Sequence, residues 1–320
     1  MTSATTIVHT SPRVDSPTDP WSRLPAAYAI PARAPSLAEA QQYCRQLART
    51  HYENFSVATW FLPKKLRQDF LNVYAYCRIS DDLGDEVGDP SISLTLLDQW
   101  QAELDACYAG APRHPVFVAL AETIKKFGIP RHEFSDLLIA FRRDQTVTRF
   151  ETFEHLLSYC RYSANPVGHL VLYLCGYSDP ERQQLSDFTC TALQLANFWQ
   201  DVSVDYAKGR IYLPLEDMRS YSVAEAEIAS RRNTRAFCHM MTFEVERARQ
   251  WFDRGLPLIQ LVDPQLAVDL TLFSRGGQEI LRAIEGQGFA VLGRRPVISR
   301  TRKLRLVARA AIGKLFGSLS

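Results

Sequence analysis

The sequence predicts an all-α fold. Three observations point there. Apolar residues recur at helical spacing through most of the chain, helix-start and helix-stop residues bracket those runs, and the alternation of a half-buried strand is nearly absent. Residues 1–34 are rich in Ser, Thr and Pro and are expected to form a flexible arm. Ser36-Leu-Ala-Glu39 is a capping-box pattern that opens a helix running to about residue 51. Pro63 suits the first position of the next helix, which continues to Asp85. Helical periodicity follows over 91–108 and over 114–128, the latter ending on Gly128. A helix restarts at Pro130–Arg131 and runs to about Asp144. Thr152 precedes a long apolar stretch over 153–175, closed by Gly176. Segments 180–205, 223–230, 233–254 and 264–285 complete the set. The short IYLP over 211–214 is the one tempting strand, and its proline demotes it. No repeat appears at solenoid spacing. The expected organisation is an arm (1–34), one all-α domain (35–290) and a tail (291–320). The longest helices are apolar on most faces, so they surround one another or surround a cavity.

Composition narrows the function classes. The formal net charge is +2, which gives no argument for nucleic acid binding. Seven cysteines are scattered without a CxxC pair, which suits small buried hydrophobes in a reducing compartment better than a disulfide framework. No apolar run reaches the length of a membrane span, and the N-terminus lacks a signal-peptide core. Cytoplasmic location is therefore expected. The tail carries Arg294, Arg295, Arg300, Arg302, Lys303, Arg305, Arg309 and Lys314 with no acid. Leu304, Val307, Ala308, Ala311, Ile312 and Leu315 recur at near-helical spacing. Such a helix either lies on an anionic membrane, here the inner face of the cytoplasmic membrane, or simply carries a solvated basic face.

Two groups of oxygen-bearing side chains stand out. Asp81 and Asp85 sit one turn apart at the end of an apolar helix, about 40° from each other around its axis. Like charges so placed repel, and a cation or solvent between them relieves it. Further on, Asn197, Asp201 and Asp205 recur every four residues, with Gln194 on the same face. Carboxylate and carbonyl oxygens without His or Cys suit a hard cation. Magnesium in particular takes one or two carboxylates per ion and fills its shell with water and phosphate oxygens. Arg78, Lys208 and Arg210 flank the two groups, where a diphosphate would need them. Other chemistry finds no support. The acidic segment lacks the spacing of a calcium loop, no HExxH is present, and neither GxSxG, a Walker loop nor GxGxxG occurs. A lone His such as His169 on a helix reads as a satisfied partner rather than a ligand.

With those residues in place, the chain resembles the squalene/phytoene synthase family. YCRISDDLGDE is similar to the family's first DxxxD motif, carried by Asp81 and Asp85. QLANFWQDVSVD resembles its NxxxDxxxD motif, carried by Asn197, Asp201 and Asp205. QDVSVDYAKGRIYLP is similar to the segment that follows in these enzymes. The resemblance runs from about residue 36 to 285. Within the family, ENFSVATWFLP (53–63) and YCRYSANPVGHLVLYLCG (159–176) look like the bacterial hydroxysqualene synthase branch. Two departures from the condensing branches support that. Glu53 stands where those carry a base two residues before the position of Phe55. Ser163-Ala-Asn165-Pro-Val-Gly168 stands where they read VAGxVG.

The resemblance implies a class I terpenoid synthase helical bundle around a central apolar cavity. It implies magnesium, held by Asp81, Asp85, Asn197, Asp201 and Asp205, and no nicotinamide cofactor. The implied reaction takes presqualene diphosphate, ionises it, and quenches the rearranged cation with water. Arg78, Lys208, Arg210 and Gln194 are expected at the diphosphate. Phe55, Tyr74, Tyr159 and Phe198 are candidates to face the cation. Tyr162 matches a family tyrosine of the cation steps. Asn165 is expected either to hold the quenching water by its amide or to kink the helix before Pro166. Asp144 is implied near the pocket. Enzymes that supply presqualene diphosphate and reduce hydroxysqualene are the implied partners. The competing readings are a condensing squalene, dehydrosqualene or phytoene synthase, and a non-catalytic binding member, which would be expected to lose the aspartates.

Overall fold

The computed structural model describes residues 19–50 and 64–299. Twelve α-helices carry the architecture among the described residues: α1 (Leu37–Thr50), α2 (Arg67–Asp85), α3 (Pro90–Tyr108), α4 (Pro115–Phe127), α5 (His132–Arg143), α6 (Phe153–Ser163), α7 (Asn165–Leu174), α8 (Pro180–Ala207), α9 (Leu215–Ser220), α10 (Glu225–Ala229), α11 (Arg235–Gly255) and α12 (Pro264–Gly286). No strand forms among these residues. At IYLP the chain makes only an isolated parallel bridge, between Arg149 and Ile211. The helix boundaries follow local chemistry. At Ser36 the capping box is formed: the backbone N–H of Ser36 donates to Glu39 at 2.8 Å, and that of Glu39 to Ser36 Oγ at 3.4 Å. Helices α3, α8 and α12 each begin on an Asp-Pro pair whose aspartate accepts backbone N–H groups of the first turn. Each such cap is worth about 1 kcal/mol. Gly128 closes α4 at φ +63°, a left-handed conformation that glycine adopts without strain.

The core has two main apolar masses. One gathers α1–α5 around Tyr76, Trp100, Phe117 and Phe134. The other gathers α6 and α8–α12 around Trp199, Phe237 and Phe252. Helix α8 packs against α6, α7, α11 and α12, and α2 packs against α1, α3, α4 and α5. The approach of α7 to α8 is close at Gly168. A Cβ there would lie 2.3 Å from Ser186 Oγ and 2.6 Å from Cys190 Sγ. No helix of the described residues is long and apolar enough to cross a membrane.

Four expectations are corrected. Residues 19–34 are not a free arm. Trp21 and Tyr28 are buried, Trp21 Nε1 donates to Gln99 at 2.7 Å, and Tyr28 Oη donates to Asp82 at 2.6 Å. The run 153–175 is two helices. Pro166 has no N–H and its ring collides with the carbonyl of Tyr162, so the chain turns at Ala164 (φ −116°, ψ −46°). Helix α9 was too short to show a period. The tail does not begin free at 291. Val291 and Leu292 are fully buried, and Gln200 Nε2 donates to the carbonyl of Pro296 at 2.6 Å. Pro63, and the tail from residue 300 with its amphipathic pattern, lie outside the described residues.

Candidate active site

Between the two masses lies a cavity of about 460 Å³. Helix α2 lines it with Tyr74, Cys77, Arg78, Asp81 and Asp85, and α8 with Gln194, Asn197, Phe198, Asp201 and Asp205. Both sets step by three, one, three and four residues, which keeps each on one helical face. The two acidic motifs therefore share one cavity. Leu137 and Phe141 of α5, Tyr159 and Ser163 of α6, and Val167 of α7 form further wall. Asp144 follows α5, and Lys208, Arg210 and Tyr212 follow α8.

The rim is an ionic network. Asp85 accepts from Arg210 Nη1 at 3.1 Å and has Lys208 Nζ at 3.6 Å. Arg78 reaches Asp81 at 3.5 Å. It is held by Asp82, which accepts from Arg78 Nε at 3.1 Å and also from Tyr28. Asp201 accepts from Arg295, whose Nη2 lies 2.9 Å from Oδ2 and also 3.1 Å from Gln200 Oε1. The acids still carry more negative charge than these cations offset. Burial, then the neighbouring Asp85, pushes Asp81 up to about 6. Burial, then Asp201, pushes Asp205 up to about 7. Asp81 is half open to the cavity though walled in elsewhere.

The inner wall is aromatic. Phe198 and Tyr212 stack at 3.8 Å between ring centroids, and Tyr159 lies 5.8 Å from Tyr212. Tyr159 Oη donates to Asp144 Oδ2 at 3.0 Å. Burial raises the Asp144 carboxyl to about 6 against the lowering pull of Arg210.

Of the residues expected from sequence, Asp81, Asp85, Asn197, Asp201, Asp205, Arg78, Lys208, Arg210, Gln194, Tyr74, Tyr159 and Phe198 all meet at this cavity. Glu53 and Phe55 lie outside the described residues. Tyr162 is not among the lining residues, and its ring lies 5.9 Å from the Arg143 guanidinium. Asn165 is not among them either. Its amide oxygen accepts from Thr191 Oγ1 at 3.1 Å, which pins the start of α7 to α8. That bond uses one lone pair of the amide oxygen of Asn165. His169 sits between two carboxylates. Nδ1 lies 3.0 Å from Glu133 and Nε2 2.8 Å from Asp187. Sequence reasoning missed the roles of Asp82, Tyr28, Arg295 and Tyr212. Asp82 had a signal in the Asp81-Asp82 doublet. The other three reach the site only through tertiary folding.

The donor set fits magnesium. All candidate ligands offer oxygen, from Asp81 and Asp85 on α2 and from Asn197, Asp201 and Asp205 on α8. Among the described residues no three acids stand close enough to enclose an ion alone. That suits an ion taking one or two carboxylates from one helix and its other oxygens from substrate and water.

The chain matches the squalene/phytoene synthase family model over residues 48–302. It is similar to the crystal structure of squalene synthase HpnC from Alicyclobacillus acidocaldarius, with 43% identity and a TM-score of 0.76 over 85% of this chain and 99% of that one. It is 30% identical to 15-cis-phytoene synthase of Synechocystis over 84% of this chain and 83% of that protein. Phytoene synthase of Arthrospira platensis is 28% identical over 86% and 93% respectively. A dehydrosqualene synthase with bound ligand shares the fold at 24% identity and a TM-score of 0.78, covering 94% of this chain and 100% of that one.

Proposed function

The chain belongs to the squalene/phytoene synthase family, and from that premise we propose that it converts presqualene diphosphate to hydroxysqualene by ionisation, rearrangement and water capture. The observation that carries the reading is the single cavity that joins both acidic motifs, three basic side chains and an aromatic wall. Family members act on prenyl diphosphates, and the rim provides for one. Arg78, Lys208 and Arg210 take the diphosphate oxygens, Arg78 being held in place by Asp82. Charge-assisted contacts of this kind stabilise the charge that develops on a leaving diphosphate. Asp81, Asp85, Asn197, Asp201 and Asp205 would hold magnesium, which would supply Lewis-acid neutralisation of that charge. Phe198, Tyr212 and Tyr159 present ring faces to the carbocation, each contact worth about 2 kcal/mol when dry. The apolar surroundings also keep bulk water from the cation.

Water capture rather than condensation is supported by Glu53, whose charge is wrong for a second diphosphate, and by SANPVG in α6–α7. The likeness to phytoene synthases favours the second reading, head-to-head condensation of two prenyl diphosphates. A non-catalytic role fits poorly with a complete set of motif aspartates. The supplying and reducing enzymes remain the proposed partners, and the basic tail the proposed membrane contact. The test is to offer purified protein presqualene diphosphate and farnesyl diphosphate separately, with magnesium and without a nicotinamide cofactor. A thirty-carbon alcohol from presqualene diphosphate alone supports the reading. Presqualene diphosphate or a hydrocarbon made from farnesyl diphosphate replaces it with condensation.

A further inference from the structure

Two polar atoms in the cavity wall have no hydrogen-bond partner in the ionic network. Asp144 is 9% exposed, and its Oδ1 is buried with no hydrogen-bond partner among the described residues. Ser163 Oγ is likewise buried and without a partner. Both residues line the cavity. A buried carboxylate oxygen or hydroxyl left unpaired costs about 1–3 kcal/mol, so a fold keeps such atoms where something else fills them. The carboxylate is aimed by its other oxygen. Tyr159 Oη donates to Oδ2 at 3.0 Å, and Arg210 Nη2 holds the Asp144 backbone carbonyl at 3.4 Å. Tyr159 and Ser163 are one turn apart on α6, so the aiming group and the free hydroxyl share a face. Ser163 also opens the SANPVG segment, where the condensing branches carry valine. Two residues further on, the Asn165 amide oxygen accepts from Thr191, whereas Ser163 Oγ has no such partner.

From this pairing of unfilled atoms we infer that Asp144 Oδ1 and Ser163 Oγ hold the water that quenches the cation, with Asp144 as its general base. The inference rests on the water-capture reading above. A water needs two to four polar partners, and these two atoms line the same cavity. In the step, a lone pair of the water oxygen forms the C–O bond to the cationic carbon. The O–H bond then breaks and its proton passes to Asp144 Oδ1, leaving the neutral alcohol and a protonated carboxyl. No oxidant or reductant is involved. Without the base, the cation instead loses a proton from a neighbouring carbon and gives an alkene.

The experiment measures thirty-carbon alcohol formed per diphosphate released from presqualene diphosphate, for wild type, Asp144→Asn and Ser163→Ala. That ratio reads the quench independently of overall rate. Thermal melting confirms that each variant is folded, and Ser163→Ala, the smaller change, provides the readout independently of Asp144. The expected result is a ratio lowered at least tenfold in Asp144→Asn, in line with the size of general-base effects, and lowered less in Ser163→Ala, with alkene in place of alcohol. An unchanged ratio in either folded variant, beside alcohol from wild type, overturns this assignment alone. Wild-type protein that makes no alcohol overturns the water-capture reading and the inference with it.

Discussion

His169 provides a stability test whose size follows from the structure. It joins α7 to α5 and α8, with Glu133 at 3.0 Å on one side and Asp187 at 2.8 Å on the other. Asp136 also faces it across α5. Burial alone would lower the imidazole pKa, but the Asp187 and Glu133 carboxylates win and raise it from 6.5 to about 9. A folded value above the unfolded one means that stability is fully present below about pH 6.5 and is lost as pH rises through about 9. The rise corresponds to about 3 kcal/mol at most, and partial solvent contact reduces it to about 2 kcal/mol. For a domain of this size that is roughly 4–8 °C in melting temperature. The perturbation is His169→Gln. Melting curves of both proteins are recorded from pH 6 to pH 10. The variant is expected to melt lower at pH 6 and to converge on wild type by pH 10, because uncharged His169 then resembles Gln. Asp81 and Asp144, near 6, and Asp205, near 7, titrate at the low end of this range in both proteins and cancel in the difference. Parallel curves across the range would refute the charged triad.

Other expectations are as direct. Gly168→Ala would drive a Cβ into Ser186 and Cys190 and should lower stability by about 1–3 kcal/mol in chemical denaturation. Glu244 is fully buried, and burial raises its pKa well above the usual range against the lowering pull of Arg247, which favours the neutral acid. Glu244→Gln should cost under about 1 kcal/mol, and Glu244→Ala about 2–4. Arg295→Gln removes the internal cation on Asp201, and calorimetric titration of the substrate-free protein should show magnesium binding several-fold tighter. Asp201→Ala removes a proposed magnesium ligand and should lower diphosphate release at least a hundredfold, read by a phosphate-coupled assay.

The fold was legible because its helices announce themselves locally. Asp-Pro starts, the Ser36–Glu39 box and Gly128 each mark a boundary by their own chemistry. The acidic rim was legible for the same reason: four-residue spacing puts Asn197, Asp201 and Asp205 on one face whatever α8 packs against. What escaped depends on contacts distant in sequence. Trp21 and Tyr28 gave no period, yet they dock 78 and 54 residues away on Gln99 and Asp82. Arg295 reaches Asp201 across 94 residues. Ser163 gave no signal either, because it falls at the α6–α7 break. The helical angle is lost at that break, so spacing could not place it.

The central claim is that this cavity ionises presqualene diphosphate and closes the reaction with water. It is tested most directly by turning over that substrate with magnesium in water enriched in heavy oxygen, and analysing the product by mass spectrometry. The expected product is a thirty-carbon alcohol carrying the heavy isotope, formed only when magnesium is present. An unlabelled alcohol, or a hydrocarbon as the only product, would contradict it.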